Sequence, residues 1–157
     1  DTVILLSRLN RVHPANGALT FFDGEMGTFN ANSPAWANNW AGFLRNDMEL
    51  LIEYHNPVLI SSIALNVLVE PETIIFPPAS IEIWGGPSAG SLQLIGQLKP
   101  KQPMQEGKPY IELIECKIKA FEGTHFKIIA RPVSALPEWH SRKGASALLL
   151  IDEMFVN

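Results

Sequence analysis

Between residues 23 and 28 the chain reads Asp23-Gly24-Glu25-Met26-Gly27-Thr28, which gathers two carboxylates, a hydroxyl and several free carbonyls into one short loop. Gly24 and Gly27 let the backbone fold tightly there. Hard oxygen donors in so compact a loop suit Ca²⁺, which takes roughly six to eight of them. The spacing is not that of an EF-hand. Taken on its residues alone, the loop is an ordinary Asp-Gly turn with solvated acids.

A second group is Trp139-His140 with Arg142, inside the aperiodic stretch 132–144; Trp36 and Trp40 lie in another, 29–46, with Asn38, Asn39 and Arg45 nearby. Sugar sites pair an aromatic face, which packs on the C–H face of a pyranose, with planar polar groups that bond its hydroxyls. Trp139, His140, Arg142, Asn38 and Arg45 are therefore the candidate saccharide contacts. Trp40 reads differently. Trp40-Ala41-Gly42-Phe43 runs into a strand like a core plug, so Trp40 and Phe43 are assigned to structure.

Other chemistries find no support. There is no Gly-x-Ser-x-Gly elbow, and Cys116 sits in the apolar run 111–118 as an inert core thiol. A carboxylate pair for glycoside chemistry could be picked from 16 acids in any fold, so its mere possibility carries no weight. His13, His55, His125 and His140 are far apart in sequence and show no zinc-ligand spacing. His55 and His125 read most simply as surface or edge residues. Gly85-Gly86-Pro87 lacks the strand-to-helix context of a phosphate loop. The expectation is a protein that is not an enzyme.

Charge narrows the partners. Net charge is −4 and the 12 Lys and Arg are scattered, which sets nucleic acid aside. No apolar run has the length of a bilayer span, so membrane insertion is not expected. The chain starts at Asp1 without a leader, as a cut-out domain or a processed chain would.

The elements that must hold these groups are strands. Met48, Leu50, Ile52 and Tyr54 alternate, and Ile63, Leu65, Val67 and Val69 do the same, with β-branched enrichment. His55-Asn56-Pro57, Val69-Glu70-Pro71 and Pro77-Pro78 break the runs, because proline lacks the donor a central ladder needs. An edge strand near 3–6, a turn at 85–90, strands at 92–98, 110–119 and 124–130 joined by Phe121-Glu122-Gly123, and a last strand at 146–156 complete the pattern. About eight antiparallel strands without a convincing helix predict an all-β sandwich or barrel. The 157 residues fit one domain, 1–157, with a core large enough to need no disulfide.

Several motifs follow one another in a telling order: Phe22-Asp23-Gly24, Trp40-Ala41-Gly42-Phe43, Asp47-Met48-Glu49, Ile60-Ser61-Ser62-Ile63, Ile75-Phe76-Pro77-Pro78 before Ile81-Glu82-Ile83, Pro137-Glu138-Trp139-His140 and Asp152-Glu153. In order and spacing this resembles the discoidin-like domain (coagulation factor 5/8 type C, galactose-binding-like), in the version appended to bacterial secreted β-hexosaminidases and surface proteins. The resemblance spans residues 19–156. It implies an eight-stranded jelly-roll β-sandwich, often a structural calcium ion, and frequently carbohydrate binding by loops at one end. It adds Glu153 to Asp23 and Thr28 around one Ca²⁺, stapling the first loop to the last strand. Two turns depart from the family: Trp84-Gly85-Gly86-Pro87-Ser88 replaces a Ser-Asp-Asp-Gly turn, and Ile52-Glu53-Tyr54 replaces an Asp-Leu-Gly run.

What the resemblance implies for function is a non-catalytic carbohydrate-binding or cell-surface accessory module of a larger bacterial protein. Its place would be extracellular, on the cell surface or periplasmic, and its partners a glycan or the parent's other domains, acting as a monomer. The alternative is a structural module that packs on its parent enzyme without binding sugar.

Overall fold

The computed structural model describes residues 1–30, 32–33, 36 and 38–157. Among these, seven strands form: β1 (Thr2–Leu5), β2 (Ala41–Leu44), β3 (Met48–Val69), β4 (Ser80–Ser88), β5 (Ser91–Leu98), β6 (Tyr110–Arg131) and β7 (Leu148–Val156). A short 3-10 helix, Gly17–Phe22, precedes β2.

Two strands of 22 residues, β3 and β6, organise the molecule. They pair antiparallel along nearly their whole length, with register shifts between Glu53 and Val58 and between Ile60 and Ser62. The first half of β3 also pairs with β1, while its second half pairs with β7. The second half of β6 pairs with β4, which carries β5; β7 carries β2. Each long strand thus bends at an irregularity and passes from one layer into the other, the corner device of packed sheets. Ile81 and Ile83 of β4 share one buried cluster with Leu149 and Ile151 of β7, so the two halves close face to face on a common core. The result is a jelly-roll-like β-sandwich.

Several expected boundaries move, each for a physical reason. His55-Asn56-Pro57 does not end a strand; it occupies the unpaired segment of β3 between Glu53 and Val58, where no ladder donor is required of Pro57. Phe121-Glu122-Gly123 is likewise no turn but part of β6, with all three paired to β3. His125 therefore lies inside β6, opposite Glu53 and Gly86, while His55 is exposed. β4 extends through Gly86 to Ser88, which shortens the expected turn to residues 89–90. The long aperiodic stretch 29–46 contains β2, four residues too short to show a period. Two mergers and one addition turn eight expected strands into seven.

A second layer lies outside β7 and β3. Trp40 is fully buried with Leu68, Leu148, Leu150 and Ile75, and its indole N–H donates to the Thr28 carbonyl at 2.8 Å. A Cβ at Gly27 would overlap the Trp40 ring, so glycine is what allows the loop to close over the plug. Trp40 is the core plug expected of it, and Phe43 is fully buried in the main core.

The free edge of β2 is covered as well. Asn10 donates to the Gly42 carbonyl at 2.7 Å, and Gly42 donates to the His13 carbonyl at 2.9 Å. His13 is buried with its ring edge-on to Trp36 at 5.2 Å, and its Nδ1 has no hydrogen-bond partner among the described residues. Burial lowers its pKa, against a smaller raising effect from a hydrogen bond to the Trp36 backbone. A depressed histidine pKa means the folded state prefers the neutral ring. The associated stability is complete above the unfolded value of about 6.5 and is lost as pH falls below it. Melting temperature followed from pH 7.5 to 5 should fall, and His13→Gln should remove part of that slope.

Candidate functional site

Two adjacent carboxylates at the end of the chain hold the loop 23–28. Glu153 Oε2 accepts from the Gly24 amide at 3.0 Å, and Asp152 Oδ2 accepts from the Gly27 amide at 2.7 Å. The other Asp152 oxygen accepts from Asn66 Nδ2 at 2.8 Å. Neighbouring residues on a regular strand point to opposite faces. Here the register shifts between Asn66 and Val67, where Asn66 faces Glu153 and Val67 faces Ile151, and this irregularity lets both acids reach one loop.

Asp152 is buried, and burial is the main cause that pushes its carboxyl above the usual range. The hydrogen bonds from Gly27 and Asn66 oppose that, and the nearby Asp23 charge adds to it. Glu153 is pushed the same way, first by burial and then by the charges of Asp23 and Asp152, against the Gly24 hydrogen bond. Three carboxylates thus feel one another, and none of the ion pairs among the described residues reaches them.

The loop's donors are hard oxygens, the kind a Ca²⁺ ion takes. Asp23 uses one oxygen on the Glu25 amide and Glu153 one on Gly24, leaving each a second. Thr28 lies in the same loop, its hydroxyl accepting from the Asn30 amide. No three His, Cys, Asp or Glu among the described residues form a ready-made metal cluster, so carbonyl oxygens would have to supply much of the shell. Asp152 escaped the sequence reading as a site residue. The acidic pair was visible, but the irregularity that turns both acids inward was not.

The loop 132–147 spends most of its candidate residues on itself. Trp139 is half-buried and stacked on Phe76 at 6.0 Å with 27° between the rings. His140 is buried, with Nε2 on the Thr73 carbonyl at 2.7 Å and Nδ1 accepting from the Arg142 amide at 2.9 Å. Both ring nitrogens are committed, the tautomer is therefore Nε2–H, and no nitrogen is left to face a ligand. Trp139 and His140 help close a small cluster with Phe76 and Leu136. Arg142 and Asn38 are exposed, and the Asn39 amide is tied to the Met26 carbonyl at 2.8 Å.

Arg45 has a different setting. It sits at the arch from β2 to β3 with φ 62, a left-handed conformation that bulky residues seldom adopt. Its side chain is exposed and lines two open grooves, of about 580 and 260 Å³, which share Arg45, Asn46 and Asp47. Arg8 and Glu49 border the first, Ser134 and Ser146 the second. The arch lies at one end of the sandwich, because β2 ends opposite the start of β7, and β3 begins opposite the last turn of pairing in β6. Of the five candidate sugar contacts, Arg45 alone lines either of these two grooves.

No family model matches the sequence, and no curated protein matches it either. Solved structures do match over 99% of the chain. One is a CBM32 module of Clostridium perfringens CpGH89 in complex with GalNAc-β-1,3-galactose, at TM-score 0.60 and 12% identity, covering 93% of that chain. Another is the CBM32 of AlyQ in complex with 4,5-unsaturated mannuronic acid, at TM-score 0.59, 10% identity and 93% coverage. A third is the family 32 module of C. perfringens NanJ in complex with galactose, at TM-score 0.54, 16% identity and 91% coverage. The fold is therefore a β-sandwich of the kind seen in these family 32 carbohydrate-binding modules.

The burial of His140 gives a direct check. His140→Ala removes a buried ring that packs on Phe76 and its hydrogen bond to the Thr73 carbonyl, and should cost about 1–3 kcal/mol in chemical denaturation. Arg142→Ala, at an exposed position, should stay within about 0.5 kcal/mol of the parent.

Proposed function

We propose that this chain is a non-catalytic carbohydrate-binding module, carried by a larger secreted, surface or periplasmic bacterial protein. The observation that carries the reading is the whole-chain likeness to modules solved with saccharides bound. Chains this different in sequence share a fold and not of necessity a ligand, so the reading also needs a place for a sugar. The grooves around Arg45 supply a guanidinium, an amide, carboxylates and hydroxyls in an open, shallow setting. Such groups bond sugar hydroxyls at modest affinity. A glycan array probed with the intact chain in calcium should give binding to a defined saccharide class, weakened at least fivefold in Arg45→Ala. An array without any signal would remove the reading.

Calcium belongs to the same proposal, as a structural ion. Asp23, Thr28 and Glu153 would hold it, with Asp152 contributing charge from behind. The ion would relieve the repulsion among the three carboxylates and lock the loop 23–28 onto β7. Millimolar Ca²⁺ should raise the melting temperature of EDTA-treated protein by several degrees, and Glu153→Gln should abolish most of that gain. Equal melting curves with calcium and with EDTA would count against the ion.

A second reading has one specific observation in its favour. Leu113 on β6, Phe155 on β7, and Met26 and Phe29 on the outer loop are exposed apolar side chains. A module that packs on its parent through this face would carry such residues.

A further inference from the structure

The period-2 pattern of β6 places Tyr110 and Glu112 on the same face as Ile114 and Cys116, which are buried in the core. Their ladder partners, Val69 and Val67, are fully buried core residues of β3. Where this face of β6 reaches the end of the sandwich, the core therefore gives way to a phenol and a carboxylate. The loop 99–109 does not seal the opening. It leaves a groove of about 370 Å³, walled by Met104 and Tyr110 and bordered by Gln102, Gln105, Glu112 and Lys101.

Two features set this groove apart from the surrounding surface. Tyr110 is 41% exposed and Met104 81%, so a ring face and a thioether stand open beside polar groups. Gln102 is anchored, with Nε2 donating to the Pro78 carbonyl at 2.9 Å, and its acceptor oxygen Oε1 is buried without a partner among the described residues. An orphaned buried acceptor costs free energy until a donor reaches it. Burial and the Glu112 charge raise the Tyr110 phenol, and burial raises the Glu112 carboxyl, in keeping with a partly dry cleft.

We infer that this groove is a second saccharide-binding site, distinct from the Arg45 grooves, and that it takes a neutral pyranoside. The C–H face of the sugar packs on Tyr110 against Met104, and its hydroxyls donate to the Glu112 carboxylate. The Glu112 carboxylate selects hydroxyl donors. A uronate carboxylate would meet Glu112 with like charge, so acidic sugars are disfavoured there. This inference rests on the reading of the chain as a carbohydrate-binding module.

The test is a two-dimensional amide NMR titration of the intact chain with methyl galactoside, methyl mannoside, N-acetylglucosamine and glucuronate. One neutral sugar should shift the amides of residues 102–105 and 110–112, glucuronate should not, and Tyr110→Ala should weaken those shifts at least tenfold. Met104→Ala, at a solvent-exposed position that folding does not depend on, should weaken them severalfold, while Arg45→Ala should leave them unchanged. Sugar shifts confined to residues 44–47, insensitive to Tyr110→Ala and Met104→Ala, would overturn the second site and leave the module reading standing. Absence of any sugar-induced shift would overturn both.

Discussion

Everything in this molecule depends on two long strands that each serve both layers. β3 and β6 stay paired with one another while they bend, so the sandwich is one hydrogen-bonded surface folded over its own core. The bend must be placed where the ladder can be interrupted. Pro57 marks it on β3, and on β6 Gly123 lies against the Phe121 ring and the Gly86 carbonyl, where a larger side chain would crowd. Because the bend brings β4 over β7, the apolar residues of both layers share one core. The same bend sends both termini of β3 and of β6 to one end of the molecule, beside the end of β2, the start of β4, the end of β5 and the start of β7, and there the loops with open grooves emerge.

The outer layer depends on a smaller constraint. Asp152 and Glu153 each satisfy a backbone amide of the loop 23–28, and that loop supplies the carbonyl that receives the Trp40 indole. Losing Asp152 would leave the half-buried Gly27 amide unpaired and the plug's support loosened, at about 1 kcal/mol or more; the Gly24 amide, on an exposed residue, would turn to water. Two acids on consecutive residues are costly to hold so close in a partly buried place.

Fold class was legible in the sequence because alternation survives along 48–54, 63–69 and 110–119, and because the motif order from Phe22 to Glu153 resembles that of a known sandwich. Strand boundaries were less legible. A proline or glycine at a bend inside a continuous strand has the same local signature as one that ends it, and only the cross-strand register tells them apart. β2 was invisible since four residues cannot show a period, and its partner is more than a hundred residues away. The roles of Trp40 and Phe43 could be read from their spacing into a strand. His140 could not, because its two hydrogen bonds include one to Thr73 in a loop remote in sequence. Tyr110 and Glu112 escaped for a similar reason: on paper they continue a strand, and only the register shows them at the open end of the core.

The proposed carbohydrate-binding reading places a saccharide at the loop end of this sandwich and not on its broad outer face. The most direct measurement is a crystal structure of the chain soaked with the best-binding saccharide from an array screen, in calcium. Density for a pyranose is expected at the loop end, in contact with Tyr110 or Arg45. Density only on the outer face around Leu113 and Phe155, or none at a concentration that saturates binding in solution, would contradict it.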